Sequence, residues 1–159
     1  MKIEYRPIGI VHSPFSELKG MPIQPSRAKG IAGTVEVFLE FQEGLKDLNG
    51  FSHIILLYHF HMVTGYNLQV VPFLDSELRG LFATRAPKRP NPIGLSVVRL
   101  EGVQGGVLSV LDLDILDGTP ILDIKPYVTE FDKRTNVSIG WLEEARKQKR
   151  KTLSDDRFK

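Results

Sequence analysis

The sequence predicts a mainly β fold: a small antiparallel β-barrel with one short internal helix and a C-terminal helix. Three observations carry this. Apolar residues alternate with a period of two, or run continuously, in short stretches rich in β-branched side chains and separated by regular Gly and Pro breaks. The run Ile54-Ile55-Leu56-Leu57-Tyr58-His59-Phe60-His61 is apolar on both faces until its exit, as in a central strand or barrel wall. Gln104-Gly105-Gly106 joins two such stretches as a hairpin signal. Closing the strands into a barrel removes exposed edges.

Taken in order, Tyr5 to His12 reads as the first strand. Residues 13–29 contain Pro14, Gly20, Pro22 and Pro25, too many breakers for a regular element, and predict a long functional loop. Gly33 to Phe38 alternates as a strand, and Glu40 to Asn49 predicts the short helix, stopped by Asn49-Gly50. Phe51 to Met62 predicts the most buried strand. Leu68 to Phe73, Arg79 to Thr84, Ile93 to Gln104, Gly106 to Asp114 and Ile121 to Val128 predict the remaining strands. Ile139 to Lys151, following Ser138 and carrying Trp141, Leu142 and Ala145, predicts the C-terminal helix, with Trp141 as a packing anchor on its apolar face.

A chain of 159 residues suits one domain, and roughly 70% of its unfolded surface is expected to be buried on folding. Cysteine is absent, which excludes disulfides, a thiol nucleophile and thiolate metal sites. The start lacks an apolar signal core and no run is long enough to span a bilayer, so the sequence predicts a soluble, cytoplasmic protein. The formal charge of +2 does not by itself predict nucleic-acid binding, but from Glu143 to Lys159 seven cations face four acids. The expected organisation is a barrel domain over 1–137 and a basic helix and tail over 138–159.

Four segments end in polar clusters that could carry chemistry: Pro22-Ile23-Gln24-Pro25-Ser26, His59-Phe60-His61, the Arg85 to Asn91 loop, and Asp117-Gly118-Thr119-Pro120. In the loop, Pro87, Pro90 and Pro92 each fix their own φ and restrict the residue before them, so Arg85, Lys88 and Arg89 are held on a stiff backbone suited to gripping an anion. The sequence has no G-x-S-x-G, P-loop, H-E-x-x-H or strand-linked G-x-G-x-x-G, so serine hydrolysis, nucleoside-triphosphate use and a Rossmann cofactor site lack support. His59 and His61, two apart on a strand, point the same way and leave a metal hydrolase as a weaker alternative.

Gly9-Ile10-Val11-His12-Ser13-Pro14-Phe15, Phe51-Ser52-His53, Ala83-Thr84-Arg85 through Arg89-Pro90-Asn91-Pro92-Ile93-Gly94-Leu95-Ser96, and Asp117 through Tyr127 resemble, in order, the tRNA threonylcarbamoyladenosine N6-methyltransferases, the TsaA-like, TrmO-type β-barrel family. The resemblance covers about Tyr5 to Val128. It implies a dimeric barrel that binds S-adenosylmethionine and methylates N6 of threonylcarbamoyladenosine beside the anticodon of tRNA. Carried over, it implies cofactor contacts at Gln24, Pro25, Ser26, His61, Met62, Arg85, Leu95, Asp117, Gly118, Thr119 and Pro120. Met62 departs from the polar residue found at that position in other members. Leu95 and Met62 would wall the adenine and sulfonium, Asp117 would accept from ribose or ammonium, and Arg85 would take a carboxylate. His61 and Arg89 are the implied catalytic residues, and Lys88, Arg89 and Asn91 the implied substrate contacts. A non-catalytic barrel that binds an adenosyl ligand or RNA as a sensor is the alternative from another class.

Overall fold

The computed structural model describes residues 1–17, 21, 28–73 and 75–147. Gln24, Pro25 and Ser26, and the basic tail from residue 148, lie outside the described residues.

Six strands close a barrel: β1 (Gly9–His12), β2 (Gly33–Val37), β3 (His53–His59), β6 (Ile93–Gln104), β7 (Val107–Leu111) and β8 (Pro120–Pro126), in the order β1-β2-β7-β6-β3-β8. Every pairing is antiparallel, and β8 returns to β1 through Gly9 opposite Ile121. Period-two alternation decides which side chains enter the core. Along β3, Ile54, Leu56 and Tyr58 point inward, while Ile55, Leu57 and His59 are half-buried on the outer face. The expectation of a strand apolar on both faces is thus met in composition, with one face only partly covered. Val11, Val35, Ile54, Leu56, Leu108 and Ile121 are fully buried and fill the barrel.

Between β6 and β7, Gly105 and Gly106 both have positive φ, 55° and 82°, the backbone of a two-residue hairpin whose twist matches that of its strands. The expected helix over Glu40 to Asn49 is two 3-10 turns, Leu39–Leu45 and Leu48–Gly50. The first starts at Phe38 without a side-chain cap, and Asp47 between the turns has a left-handed backbone, which stops one regular helix from forming. The first strand begins at Gly9 rather than Tyr5. Leu68 to Phe73 and Arg79 to Thr84 shrink to two-residue strands, β4 (Gln69–Val70) and β5 (Arg79–Gly80), which form a separate hairpin. Their apolar residues serve a small second cluster of Val70, Leu81 and Ala86 instead of the barrel. Two short helices follow the barrel, α1 (Thr129–Asp132) and α2 (Leu142–Lys147), so the expected helix from Ile139 starts three residues later. Among the described residues no helix is long and apolar enough to cross a membrane.

Antiparallel alternation sorts the connections by end. β1, β3 and β7 leave the barrel at the end where β2, β6 and β8 enter it, as His12 opposite Thr34, His59 opposite Ile93 and Ile10 opposite Pro120 show. His59-Phe60-His61, the Arg85 to Asn91 loop and Asp117 to Pro120 are therefore all at one mouth.

Candidate active site at the barrel mouth

The segment between β7 and β8 crosses this mouth and is tied down by its backbone. Leu113 N–H donates to Ile31 (3.1 Å), Asp117 N–H to Phe15 (2.8 Å) and Gly118 N–H to Val11 (2.9 Å). Leu113 and Ile115 are buried as a plug. At the turn, the Asp117 carboxylate accepts the Ser13 N–H at 2.9 Å and stands 4.0 Å from His12 Nδ1, while His12 Nε2 donates to Glu36 at 3.0 Å. Gly118, with φ of 73°, lets the chain reverse so that Thr119 is buried and Asp117 stays exposed.

Thr119 Oγ1 lies 3.4 Å from His61 Nδ1 and so joins two of the clusters. Partial burial, and then the neighbouring His59, hold the His61 imidazole below its ordinary pKa. The ring is neutral near pH 7 and able to accept a proton. At the same end, His59, Asn91, Ile93 and Pro120 line a cleft of about 420 Å³ together with Ile3 and Tyr5 of the N-terminal segment; Pro120 is the one expected cofactor contact in that lining, which does not include His61, Met62, Arg85, Leu95 or Asp117. That volume falls within the small-molecule range of roughly 300–1,000 Å³. The N-terminal residues escape sequence reasoning because Tyr5 reads there as the start of a strand.

The cation loop is braced by its own backbone. The 3-10 turn Leu81–Ala83 precedes it, Thr84 Oγ1 donates to the Leu81 carbonyl (2.8 Å), and Ala86 N–H donates back to Thr84 Oγ1 (3.3 Å). Arg89 Nη1 donates to the carbonyls of Thr84 (3.0 Å), Ala86 (3.3 Å) and Leu81 (3.5 Å), and its guanidinium lies 5.7 Å from the Phe82 ring centre. These bonds use a single nitrogen. Arg85, by contrast, is exposed. Met62 and Leu95 are 59% and 46% exposed, apolar surface available at this end, although Leu95 lies on the outer face opposite Leu57.

Sequence reasoning missed a polar set behind the mouth, in which Tyr58 and Ser96 are buried and Asp114 half-buried. Tyr58 Oη is 3.1 Å from Ser96 Oγ, which donates to Asp114 Oδ1 at 2.6 Å. Burial pushes the Asp114 carboxyl up to about 6 despite the Ser96 hydrogen bond and the Arg85 charge. Burial, reinforced by Asp114, also raises the Tyr58 phenol. A side chain at Gly94 would run into the Tyr58 ring, so the glycine makes room for this arrangement. The signal was a serine at an inward position of β6 and an aspartate between the buried Leu113 and Ile115.

Among the described residues, no three His, Asp or Glu side chains converge to hold a metal, which leaves the His59 and His61 pair without further ligands. Exposed apolar surface, a carboxylate at a tight turn and a guanidinium on a braced loop match the chemical groups of S-adenosylmethionine: adenine and thioether carbons, hydroxyls and ammonium, and carboxylate.

Fold and mouth together define a small antiparallel barrel with polar clusters and a cleft where the strands meet their longest connections. Residues 10–133 match the family model of the tRNA-methyltransferase O N-terminal domain, and the chain belongs to that family. It is 61% identical over 158 residues to a probable S-adenosyl-L-methionine-binding protein of Pyrococcus abyssi, covering 99% of this chain and 86% of the relative. It is 37% identical to the human tRNA (adenine(37)-N6)-methyltransferase, covering 82% of this chain and 31% of that enzyme. The crystal structure of TrmO from Pseudomonas aeruginosa superposes with a TM-score of 0.75 at 41% identity, covering 89% of this chain and 63% of that one.

Proposed function

We propose that this chain is an S-adenosylmethionine-dependent methyltransferase acting on N6 of threonylcarbamoyladenosine beside the anticodon of tRNA. The observation that carries it is the meeting of His61 with Thr119 at a mouth shared by the Asp117 turn and the Arg85 to Asn91 loop, in a chain of this family. Arg85 binds the cofactor carboxylate, Asp117 its ribose or ammonium, and Met62 and Leu95 cover its apolar parts. Gln24, Pro25, Ser26, His61, Gly118, Thr119 and Pro120 complete that set. When bound, S-adenosylmethionine supplies an activated methyl group.

The chain's own work is to align the acceptor and keep water out. Lys88 and Arg89 neutralise the threonyl carboxylate, Asn91 orients the base edge, and neutral His61 takes up the proton that N6 releases. Brought in line, the acceptor nitrogen needs little further activation. The basic residues from 138 onward add salt-sensitive contacts to phosphates. We read the working form as a cytoplasmic homodimer.

Methyl transfer to tRNA with and without the threonylcarbamoyl group tests this reading. Transfer to modified tRNA alone is the expected result. Cofactor binding without transfer to either RNA overturns it in favour of a sensor.

A further inference from the structure

Phe82 is the middle residue of the 3-10 turn Leu81–Ala83, and the turn sends its two large side chains into opposite environments. Leu81 is 1% exposed in the small cluster with Val70 and Ala86, whereas Phe82 beside it is 76% exposed. The backbone under the ring is tied from several directions. The Leu81 carbonyl accepts the Thr84 N–H at 3.0 Å and the Thr84 hydroxyl at 2.8 Å, and the Ala83 carbonyl accepts the Trp141 indole N–H at 2.8 Å. From the cation loop, Arg89 donates to the carbonyls of Thr84 and Ala86 and brings its guanidinium to 5.7 Å from the Phe82 ring centre.

Most of this ring faces water, so the fold gains little from an aromatic side chain at position 82. Held on a braced turn, it needs little further ordering to meet a ligand. Its surroundings select the chemistry. Between Glu77 and Glu101 the sequence carries Arg79, Arg85, Lys88, Arg89 and Arg99 and no acid. Leu68, whose carbonyl accepts the Leu81 N–H at 2.9 Å, adds exposed apolar surface. A purely apolar partner has no use for this run of cations, and phosphates alone have no use for a phenyl ring. A flat apolar face beside a guanidinium suits a ligand that is both flat and polyanionic, namely an unpaired nucleic-acid base on its phosphate backbone. Bases inside a duplex keep their faces covered by one another and cannot use it.

We propose that Phe82 is a stacking platform for single-stranded RNA: its ring, set beside the Arg89 guanidinium, takes an unpaired base of the anticodon loop next to the acceptor adenosine. The inference rests on the reading of tRNA as the acceptor and adds to it a contact that supplies affinity without reading sequence. Every base has a flat face, so the platform tolerates any base. Stacking releases no counterions, so the contact leaves the salt dependence of binding to the cations.

The test measures binding of an anticodon stem-loop RNA to the full chain across a range of salt, with wild type, Phe82→Ala, Phe82→Leu and Phe82→Trp. A fully paired duplex of the stem sequence and S-adenosylmethionine serve as control ligands. Phe82→Ala is expected to lose roughly tenfold in affinity for the stem-loop, with the salt slope of wild type. Phe82→Leu, which restores apolar bulk without a flat face, is expected to lose nearly as much, and Phe82→Trp to bind at least as tightly as wild type. Affinities for the duplex and for S-adenosylmethionine are expected to be unchanged in all three. Stem-loop binding by Phe82→Ala equal to wild type, or full recovery in Phe82→Leu, overturns the platform and leaves the tRNA reading intact. An equal loss of S-adenosylmethionine affinity places the ring in the cofactor site, and a smaller assembly in Phe82→Ala makes it a contact between copies of the chain; either overturns the proposal. If Phe82→Ala does not fold, Phe82→Leu and Phe82→Trp decide by the same criteria. Absence of stem-loop binding by wild type at every salt concentration overturns both readings.

Discussion

Trp141 donates its indole N–H to the carbonyl of Ala83 at 2.8 Å, tying the C-terminal segment to the turn from which the cation loop springs. Arg79 reinforces the junction: its guanidinium lies 5.7 Å from the Trp141 ring centre and is held by Asp75 at 2.7 Å. The hydrogen bond from Arg79 keeps the Asp75 carboxyl below its ordinary range. Trp141 is the chain's single tryptophan. Its emission is therefore expected to change when S-adenosylmethionine is titrated in and fills the mouth beside that loop. The Trp141→Phe variant, which keeps most of the ring but loses the N–H, is expected to lower stability by about 1 kcal/mol. A denaturant midpoint equal to wild type would show that the Ala83 contact does not hold the segment.

The barrel was largely legible because period two is a direct record of facing. Ile93 to Gln104 is matched residue for residue, and the hairpin at Gly105-Gly106 falls where its turn chemistry puts it. The β4–β5 excursion was not, since Leu68 to Phe73 is apolar enough for a strand but packs with Leu81 and Ala86 in a cluster of its own. Within the site, the polar clusters were visible as interruptions in apolar runs. The grip of Arg89 on three carbonyls was not, because it depends on how the turn before it folds, which no residue spacing encodes.

That grip separates charge from shape. If Arg89 serves by bracing the loop, Arg89→Lys keeps the charge but lacks the planar fork, and is expected to behave like Arg89→Ala: transfer to modified tRNA falls roughly tenfold or more. If charge toward the threonyl carboxylate were the whole role, Arg89→Lys would retain most of the activity. Steady-state rates on modified tRNA for the two variants decide between these. Arg85→Ala, by comparison, is expected to raise the dissociation constant for S-adenosylmethionine by about tenfold or more, measured by calorimetry.

His61 should titrate below the ordinary histidine range in an NMR pH series. Burial is the main cause and the His59 charge the second, so His59→Gln is expected to move the His61 midpoint up only part of the way. A full return to the ordinary value would reverse the order of those causes. No movement would place His59 too far away to be felt.

Asp114 makes a prediction about stability that is independent of any ligand. Its carboxyl is raised from an ordinary 3.8 to about 6, so between those values the folded chain holds a proton that the unfolded chain has released. Stability contributed by this group is fully present below the unfolded value and is lost as pH rises through about 6. At roughly 1.4 kcal/mol per pH unit the loss amounts to about 3 kcal/mol, several degrees in melting temperature for a domain of this size. Asp114→Asn, which accepts the same Ser96 bond without a charge, is expected to flatten the melting profile between pH 4 and pH 6 and to be at least as stable as wild type at pH 7.5. A variant less stable than wild type at neutral pH would instead make Asp114 part of the structural frame.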